Sequence, residues 1–208
     1  MHKLAAILTV AAGLTLASQA QARGFKSDLS TTITGPINVE VVVSEDLAHR
    51  AENLPKKQSD RGSGRRLNAG FANNGLYGQK EIDRLVEEVN EELAHDFEKR
   101  GIAISENAST TLRVTLVMAK PNRPTHNQLS RDIGLSFNSF GLGGAELTAD
   151  VIGANGESLG TMEYDYYTSF NERVFQPIGI WEDANRSISK FSRKASKTLA
   201  ALGASGNS

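Results

Sequence analysis

The sequence predicts an α+β fold: a two-layer sandwich in which a mainly antiparallel sheet of about four strands carries two long helices on one face. Four segments alternate apolar and polar residues, which is typical of half-buried strands. Two other segments repeat apolar residues at three- and four-residue spacing, as amphipathic helices do. Their order along the chain is strand, helix, three strands and helix, which favours strands packing one face against two helices.

Each predicted strand is a short segment whose apolar side chains share one face. Ile37, Val39, Val41 and Val43 form such a set in the first strand. Asn155-Gly156 separates the last two segments and is a strong hairpin signal. The four strands are predicted at residues 37–43, 111–118, 145–152 and 158–170.

Both predicted helices carry one apolar stripe. The first covers residues 80–100, with acidic residues in its early turns and Lys99 and Arg100 before Gly101. Early acids and late bases suit the helix dipole, and glycine is a common stop. The second helix opens at Trp181, and its stripe continues through Ala184, Ile188, Phe191, Ala195 and Leu199.

Residues 1–22 have the pattern of a secretory signal peptide. Lys3 is followed by an apolar run over residues 4–17 and by Ala20-Gln21-Ala22, a cleavage site with small side chains. This run is too short to span a bilayer, which needs about 20 apolar residues. The mature chain is therefore expected to begin at Arg23 and to be periplasmic, or else extracellular, with no transmembrane segment.

The remaining chain is expected to form one domain. It comprises a flexible leader at residues 23–36, an α+β domain at 37–202 and a disordered tail at 203–208. Within the domain, residues 53–66 combine bases with glycine and other polar residues, so a mobile basic loop is expected there.

Composition excludes several classes of function. The chain has no cysteine, which removes thiol catalysis, cysteine-ligated zinc and the lipid-anchor site of a bacterial lipoprotein. A cysteine-free exported chain points to a bacterial envelope. The 23 basic and 24 acidic residues nearly balance, whereas nucleic-acid binding favours a basic surface. His49, His95 and His126 lack zinc-ligand spacing, so no catalytic residue, metal site or cofactor is predicted.

Four carboxylates form the first candidate site. Glu146, Asp150, Glu163 and Asp165 are expected on the face of the paired strands that points away from the core. Paired carboxylates perform acid–base chemistry or bind calcium when a concave site encloses them. An open sheet face offers no such enclosure, so the pattern favours a solvated surface.

Residues 133–142 form the second candidate, an apolar segment spaced by glycine and serine. It is either a short strand covering the sheet edge or a partner-binding segment that exposes Phe137 and Phe140, because exposed apolar patches often mark contacts. Trp181 is expected on the buried stripe of the last helix, and it becomes a further partner contact if it is exposed.

Three short motifs resemble those of secreted proteobacterial envelope domains of unknown function, many of them lipoproteins. They are Gly75-Leu76-Tyr77-Gly78 before the first helix, the glycine-rich run at 140–145, and Trp181-Glu182-Asp183-Ala184. The resemblance covers residues 66–202 and implies no catalytic residues. This chain differs in having no lipid-anchor cysteine after its signal peptide.

The sequence thus favours an exported soluble envelope protein that acts as a non-enzymatic accessory or binding module. Its expected partner is another envelope protein or an envelope polymer. The alternative is a carboxylate-dependent hydrolase or metal-binding protein that acts on envelope polymers.

Overall fold

The computed structural model describes residues 24–52, 71–72, 76–169, 171 and 179–205. The predicted signal peptide, the predicted mobile loop at 53–66 and residues 206–208 of the predicted tail lie outside these ranges. The strands are β1 (Gly24–Ser27), β2 (Ile37–Val43), β3 (Thr110–Lys120), β4 (Gly144–Ile152) and β5 (Ser158–Tyr167). The helices are α1 (Glu45–Glu52), α2 (Gln79–Glu98), α3 (His126–Arg131) and α4 (Glu182–Ala201).

The predicted α+β class is confirmed, but the sheet is mixed and has five strands rather than about four. Its order is β1-β5-β4-β3-β2. The pairs β1–β5, β5–β4 and β4–β3 are antiparallel, whereas β2 runs parallel to β3. The chain between β2 and β3 includes α1 and α2, which gives it the length that a parallel crossover requires.

The core lies between one face of the sheet and the two long helices. Across β3 and β4, Leu112 lies opposite Val151, and Leu116 lies opposite Leu147. These side chains are fully buried against the apolar stripes of α2 and α4. The stripe residues in this core are Ile82, Leu85, Val89, Leu93, Phe97, Ala184, Ile188, Phe191, Ala195 and Leu199.

Hydroxyl groups join the two long helices where they pack together. Ser192 Oγ donates to the carbonyl oxygen of Glu92 at 2.7 Å, and Arg100 Nε donates to Ser196 Oγ at 2.8 Å. Both serines are fully buried, so each hydrogen bond satisfies a polar group inside the interface. No helix in the described ranges is both long enough and apolar enough to cross a membrane.

The leader predicted at 23–36 is instead largely integrated into the fold. Gly24–Ser27 pairs with β5, and Ile33 is buried. The start of the predicted tail also packs: Ala204 is buried, and Ser205 N donates to the carbonyl oxygen of Gly35 at 3.2 Å. A strand of four residues shows no alternation in sequence, so pairing with β5, rather than local pattern, defines it.

Candidate binding surface

The connection between α3 and β4, residues 132–143, exposes two large apolar side chains. We call it the α3–β4 loop. Ile133 is fully exposed at 105% and Phe137 is 74% exposed. Among the described residues, Ile104 is the other exposed large hydrophobic side chain, at 46%. The α3–β4 loop therefore carries the most exposed apolar groups that the structure describes.

The exposed part of the α3–β4 loop consists of two consecutive turns. In the first, Leu135 N donates to the carbonyl oxygen of Asp132 at 3.0 Å, and Gly134 N donates to Asp132 Oδ1 at 2.9 Å. In the second, Ser139 N donates to the carbonyl oxygen of Ser136 at 2.9 Å, while Ser136 N donates to Ser139 Oγ at 3.1 Å. Such aspartate and serine bonds to nearby backbone stabilise turns.

Helix α3, which leads into the loop, is stabilised at its N-terminus by a capping box. Gln128 N donates to Thr125 Oγ1 at 3.3 Å, and Thr125 N donates to Gln128 Oε1 at 2.9 Å. Gln128 Nε2 also donates to the carbonyl oxygen of Phe71 at 2.7 Å. Both polar residues are buried. The capping box satisfies backbone donors that the first helical turn leaves unpaired.

A buried pair, Asn122 and Asp183, fixes the end of the loop to the start of α4. Asn122 Nδ2 donates to Asp183 Oδ2 at 2.6 Å, and Asp183 N donates to Asn122 Oδ1 at 2.8 Å. Asp183 Oδ2 also accepts from Gly143 N at 3.2 Å, and Asn122 Nδ2 reaches the carbonyl oxygen of Gly141 at 3.2 Å. Asn122 is 0% exposed and Asp183 is 3% exposed, so these bonds are shielded from water.

The glycine at position 143 is required by this close approach. A Cβ atom there would lie 2.7 Å from Asn122 Oδ1, well inside contact distance. Glycine therefore lets the backbone of the loop come within hydrogen-bond reach of Asp183.

Arg123 also contacts the backbone of the α3–β4 loop. Its Nη1 lies 3.0 Å from the carbonyl oxygen of Asn138 and 3.3 Å from that of Ser139. The His126 and Phe137 rings are 6.4 Å apart in an edge-on arrangement. Because the loop backbone is already ordered, binding through Ile133 and Phe137 would require little further ordering of the chain.

The three predicted partner contacts differ in their exposure to solvent. Phe137 is exposed, whereas Phe140 is half-buried, so the segment exposes one of the two phenylalanines that the partner-binding alternative named. The alternative of an edge strand at 133–142 is wrong, because these residues form turns and the sheet edges are β1 and β2. Trp181 is 4% exposed, so it is a core residue rather than a surface contact.

The surroundings of Trp181 explain its burial. Its indole Nε1 donates to Glu81 Oε2 at 2.8 Å, which gives both buried polar groups a partner. Its ring packs edge-on against Tyr77, with the ring centroids 5.2 Å apart. Trp181 therefore joins the starts of α2 and α4.

The four predicted carboxylates lie on the sheet face opposite the core. Glu146 lies directly across from Asp165 in the β4–β5 pair, Glu163 lies across from Thr148, and Asp150 lies across from Thr161. Burial raises the pKa of Glu146, and the neighbouring charges of Asp165 and Glu163 raise it further. Among the described residues, no group of three or more acidic, histidine or cysteine side chains is arranged to hold a metal ion.

Glu146→Gln is expected to stabilise the protein near neutral pH. Because folding raises the pKa of Glu146, the folded state binds its proton more readily, and the contribution of this group to stability becomes more favourable as the pH falls from neutral towards 4.5. The glutamine variant lacks this charge, so its advantage in urea unfolding should be clear at about pH 7.5 and shrink towards pH 4.5. Asp150→Asn, on the same strand but opposite Thr161, is the control. A gain in stability of Glu146→Gln over the wild type that does not vary with pH would contradict the raised pKa of Glu146.

Sequence reasoning missed the Asn122–Asp183 pair and the prominence of Ile133. The pair joins residues 61 positions apart, and although Asp183 lies in the Trp181-Glu182-Asp183-Ala184 motif, nothing in the sequence pairs it with Asn122. The capping box had a usable signal, since Thr125-x-x-Gln128 is a known pattern for a helix start.

No protein-family model matches the chain, and no curated protein matches it. Among solved structures, it is similar to a PelC dodecamer from Paraburkholderia phytofirmans that carries one leucine-to-methionine substitution, with 12% identity and a TM-score of 0.39. That match covers 86% of this chain and 98% of the other. A second PelC dodecamer structure from the same organism matches with 12% identity, a TM-score of 0.39, and coverage of 87% and 97%. A likeness this distant assigns neither a fold nor a function to this chain.

Proposed function

We propose that this protein is an exported, non-enzymatic accessory module of the bacterial envelope that docks onto another envelope protein through the α3–β4 loop. The signal-peptide pattern of residues 1–22 and the absence of cysteine support export to the envelope. The observation that carries the binding role is the exposure of Ile133 and Phe137 on an ordered loop.

Exposure of two large apolar side chains has a cost in water that packing within this chain could have avoided. Burying one such side chain stabilises a complex by about 1.5–3 kcal/mol. The two turns that carry Ile133 and Phe137 are held by hydrogen bonds from Gly134 N to Asp132 Oδ1 and from Ser136 N to Ser139 Oγ. The loop therefore presents two exposed apolar side chains on a hydrogen-bonded backbone.

The apolar chemistry of Ile133 and Phe137 favours a protein partner over an envelope polymer. An isoleucine side chain offers no hydrogen bond and gains free energy only by entering an apolar environment. Folded proteins provide such pockets, and aromatic side chains entering them often dominate binding energy. The partner is accordingly a protein with an apolar pocket sized for one or two side chains.

The double variant Ile133→Ser/Phe137→Ser is expected to fold normally and to lose at least tenfold in affinity for the partner. The loss of tenfold corresponds to about 1.4 kcal/mol, below the value for burying one such side chain. Affinity capture from an envelope extract, followed by titration of the captured protein, measures the change. Ile104→Ser is the matched control, because it removes an exposed apolar side chain outside the loop. Equal capture by the double variant and the control would contradict the proposal.

The raised pKa of Glu146 is the one observation that favours a carboxylate-dependent hydrolase or a metal-binding protein instead. A variant with Glu146→Gln, Asp150→Asn, Glu163→Gln and Asp165→Asn distinguishes the two functions in the same experiment. We expect it to fold and to capture the partner as the wild type does. Loss of function in this folded variant alone would replace the binding proposal with the enzymatic or metal-binding one.

A further inference from the structure

An open groove of about 390 Å³ lies between the β1 end of the sheet and the last turns of α4. Phe25 and Leu29 line one side, and Ala201 and Leu202 line the helix side. Phe25, Leu29 and Leu202 also pack against the core, so the apolar floor is part of the folded structure. The volume lies in the range of pockets that hold small ligands, about 300–1,000 Å³.

The rim of this groove is basic. Lys194, Lys197 and Thr198 line it, and Lys190 and Arg193 lie on the preceding turns of the same helix. From Ser187 to its end at Ala201, α4 contains these four bases and no acidic residue. The rim therefore presents ammonium groups directly above an apolar floor.

These bases have no carboxylate partner in the part of the chain that the structure describes. Ion pairs there involve other bases, among them Lys26, Arg84, Arg113 and Arg186. Aromatic rings lie under two of the four α4 bases instead: Lys194 Nζ, at the rim, is 5.6 Å from the Phe25 ring centroid, and Lys190 Nζ, on a preceding turn, is 4.2 Å from that of Tyr166. A cation over a ring face stays attractive to an anion, because no formal negative charge neutralises it.

We propose that this groove binds one acyl chain carrying an anionic headgroup. The chain lies along Phe25, Leu29, Ala201 and Leu202, and the headgroup contacts Lys194 and Lys197. Each methylene that the groove buries favours binding, and the charge complementarity selects an anion over a cation or a neutral amphiphile. The ligand is a single amphiphile rather than a bilayer surface, because the apolar area is a groove bounded by the helix and β1.

This site is independent of the α3–β4 loop. Asp183, which anchors the loop, lies at the start of α4, whereas Thr198 lies near its end. At 1.5 Å per residue, these two positions are about 22 Å apart along the helix. Failure of one binding site therefore leaves the other untouched.

Calorimetric titration of the mature chain with monomeric dodecyl phosphate tests the proposal. We expect one molecule bound per chain, and binding at least tenfold weaker for Lys197→Glu, because the charge reversal replaces an attraction to the anionic headgroup with a repulsion. Ala201→Phe fills the groove while keeping both lysines, and it should weaken binding similarly. Lys80→Glu, an equal charge change at the start of α2, should bind as the wild type does.

Three comparison ligands give the outcomes that would overturn the proposal. If dodecyltrimethylammonium bound as tightly as dodecyl phosphate, the groove would not recognise the charge of the headgroup. If inorganic phosphate bound as tightly, the groove would not recognise the acyl chain. Binding to phosphatidylglycerol vesicles with none to monomeric dodecyl phosphate would replace the groove with a membrane-surface interaction. Unchanged binding by both Lys197→Glu and Ala201→Phe would place the site elsewhere.

Discussion

Replacing Trp181 with alanine is expected to lower the free energy of unfolding by about 3–5 kcal/mol. The side chain is buried between the starts of α2 and α4, so its removal leaves a large cavity there. It also deprives Glu81, only 8% exposed, of the indole N–H that bonds its carboxylate. Urea unfolding followed by circular dichroism measures the loss without relying on tryptophan fluorescence.

Two further variants separate packing from hydrogen bonding at this site. Trp181→Phe keeps much of the apolar contact with Tyr77 but removes the N–H donor, so it should be less damaging than alanine. Phe137→Ala removes an aromatic side chain that is 74% exposed and should change stability by less than about 0.5 kcal/mol. A loss below about 1 kcal/mol for Trp181→Ala would contradict the burial of its ring.

Asn122→Ala is expected to lower the free energy of unfolding by about 3 kcal/mol. It removes two hydrogen bonds to Asp183 and leaves a carboxylate that is 3% exposed with the Gly143 N–H donor but without the Asn122 Nδ2 donor. Hydrogen bonds to charged groups contribute about 1.5–3 kcal/mol. Denaturant unfolding gives the magnitude, and amide hydrogen exchange at Gly143 reports whether the loop loosens.

Asp183→Asn is the matched comparison for this pair. An asparagine oxygen can still accept from Asn122 Nδ2 and Gly143 N, so the loss should be smaller than for Asn122→Ala. If Asn122→Ala and Asp183→Asn both leave stability and exchange unchanged, the pair does not fix the α3–β4 loop.

The long elements could be predicted from sequence because each has a strong local pattern. The observed α2 covers Gln79–Glu98 against a prediction of 80–100, and β2 covers the predicted residues 37–43. In both, apolar residues recur at the period of the element that buries them. The periodicity also predicted that Trp181 is buried as the first residue of the last helix; the structure has it buried, at the N-cap position directly before α4.

The parallel pairing of β2 with β3 could not be predicted in the same way. Alternation shows which face of β2 is buried, but it is identical for parallel and antiparallel neighbours. The edge strand β1 was missed because Gly24–Ser27 is only four residues long and its partner β5 is more than 130 residues away. Both features depend on contacts that are distant in sequence.

The candidate binding surface was predictable only in part. The apolar segment at 133–142 is visible in the sequence, but the exposure of Phe137 and the half-burial of Phe140 are not. They depend on Arg123 and on the Asn122–Asp183 pair, which hold the loop from outside the segment. Sequence spacing locates the apolar residues, and tertiary hydrogen bonds decide which of them face water.

Site-specific photo-crosslinking in the cell envelope tests the binding role of the α3–β4 loop most directly. A photoreactive phenylalanine analogue in place of Phe137 should trap one defined envelope protein in high yield. The same analogue at position 104, also an exposed apolar site, should not trap it. Equal trapping from both positions, or none from position 137 in correctly exported protein, would contradict docking through this loop.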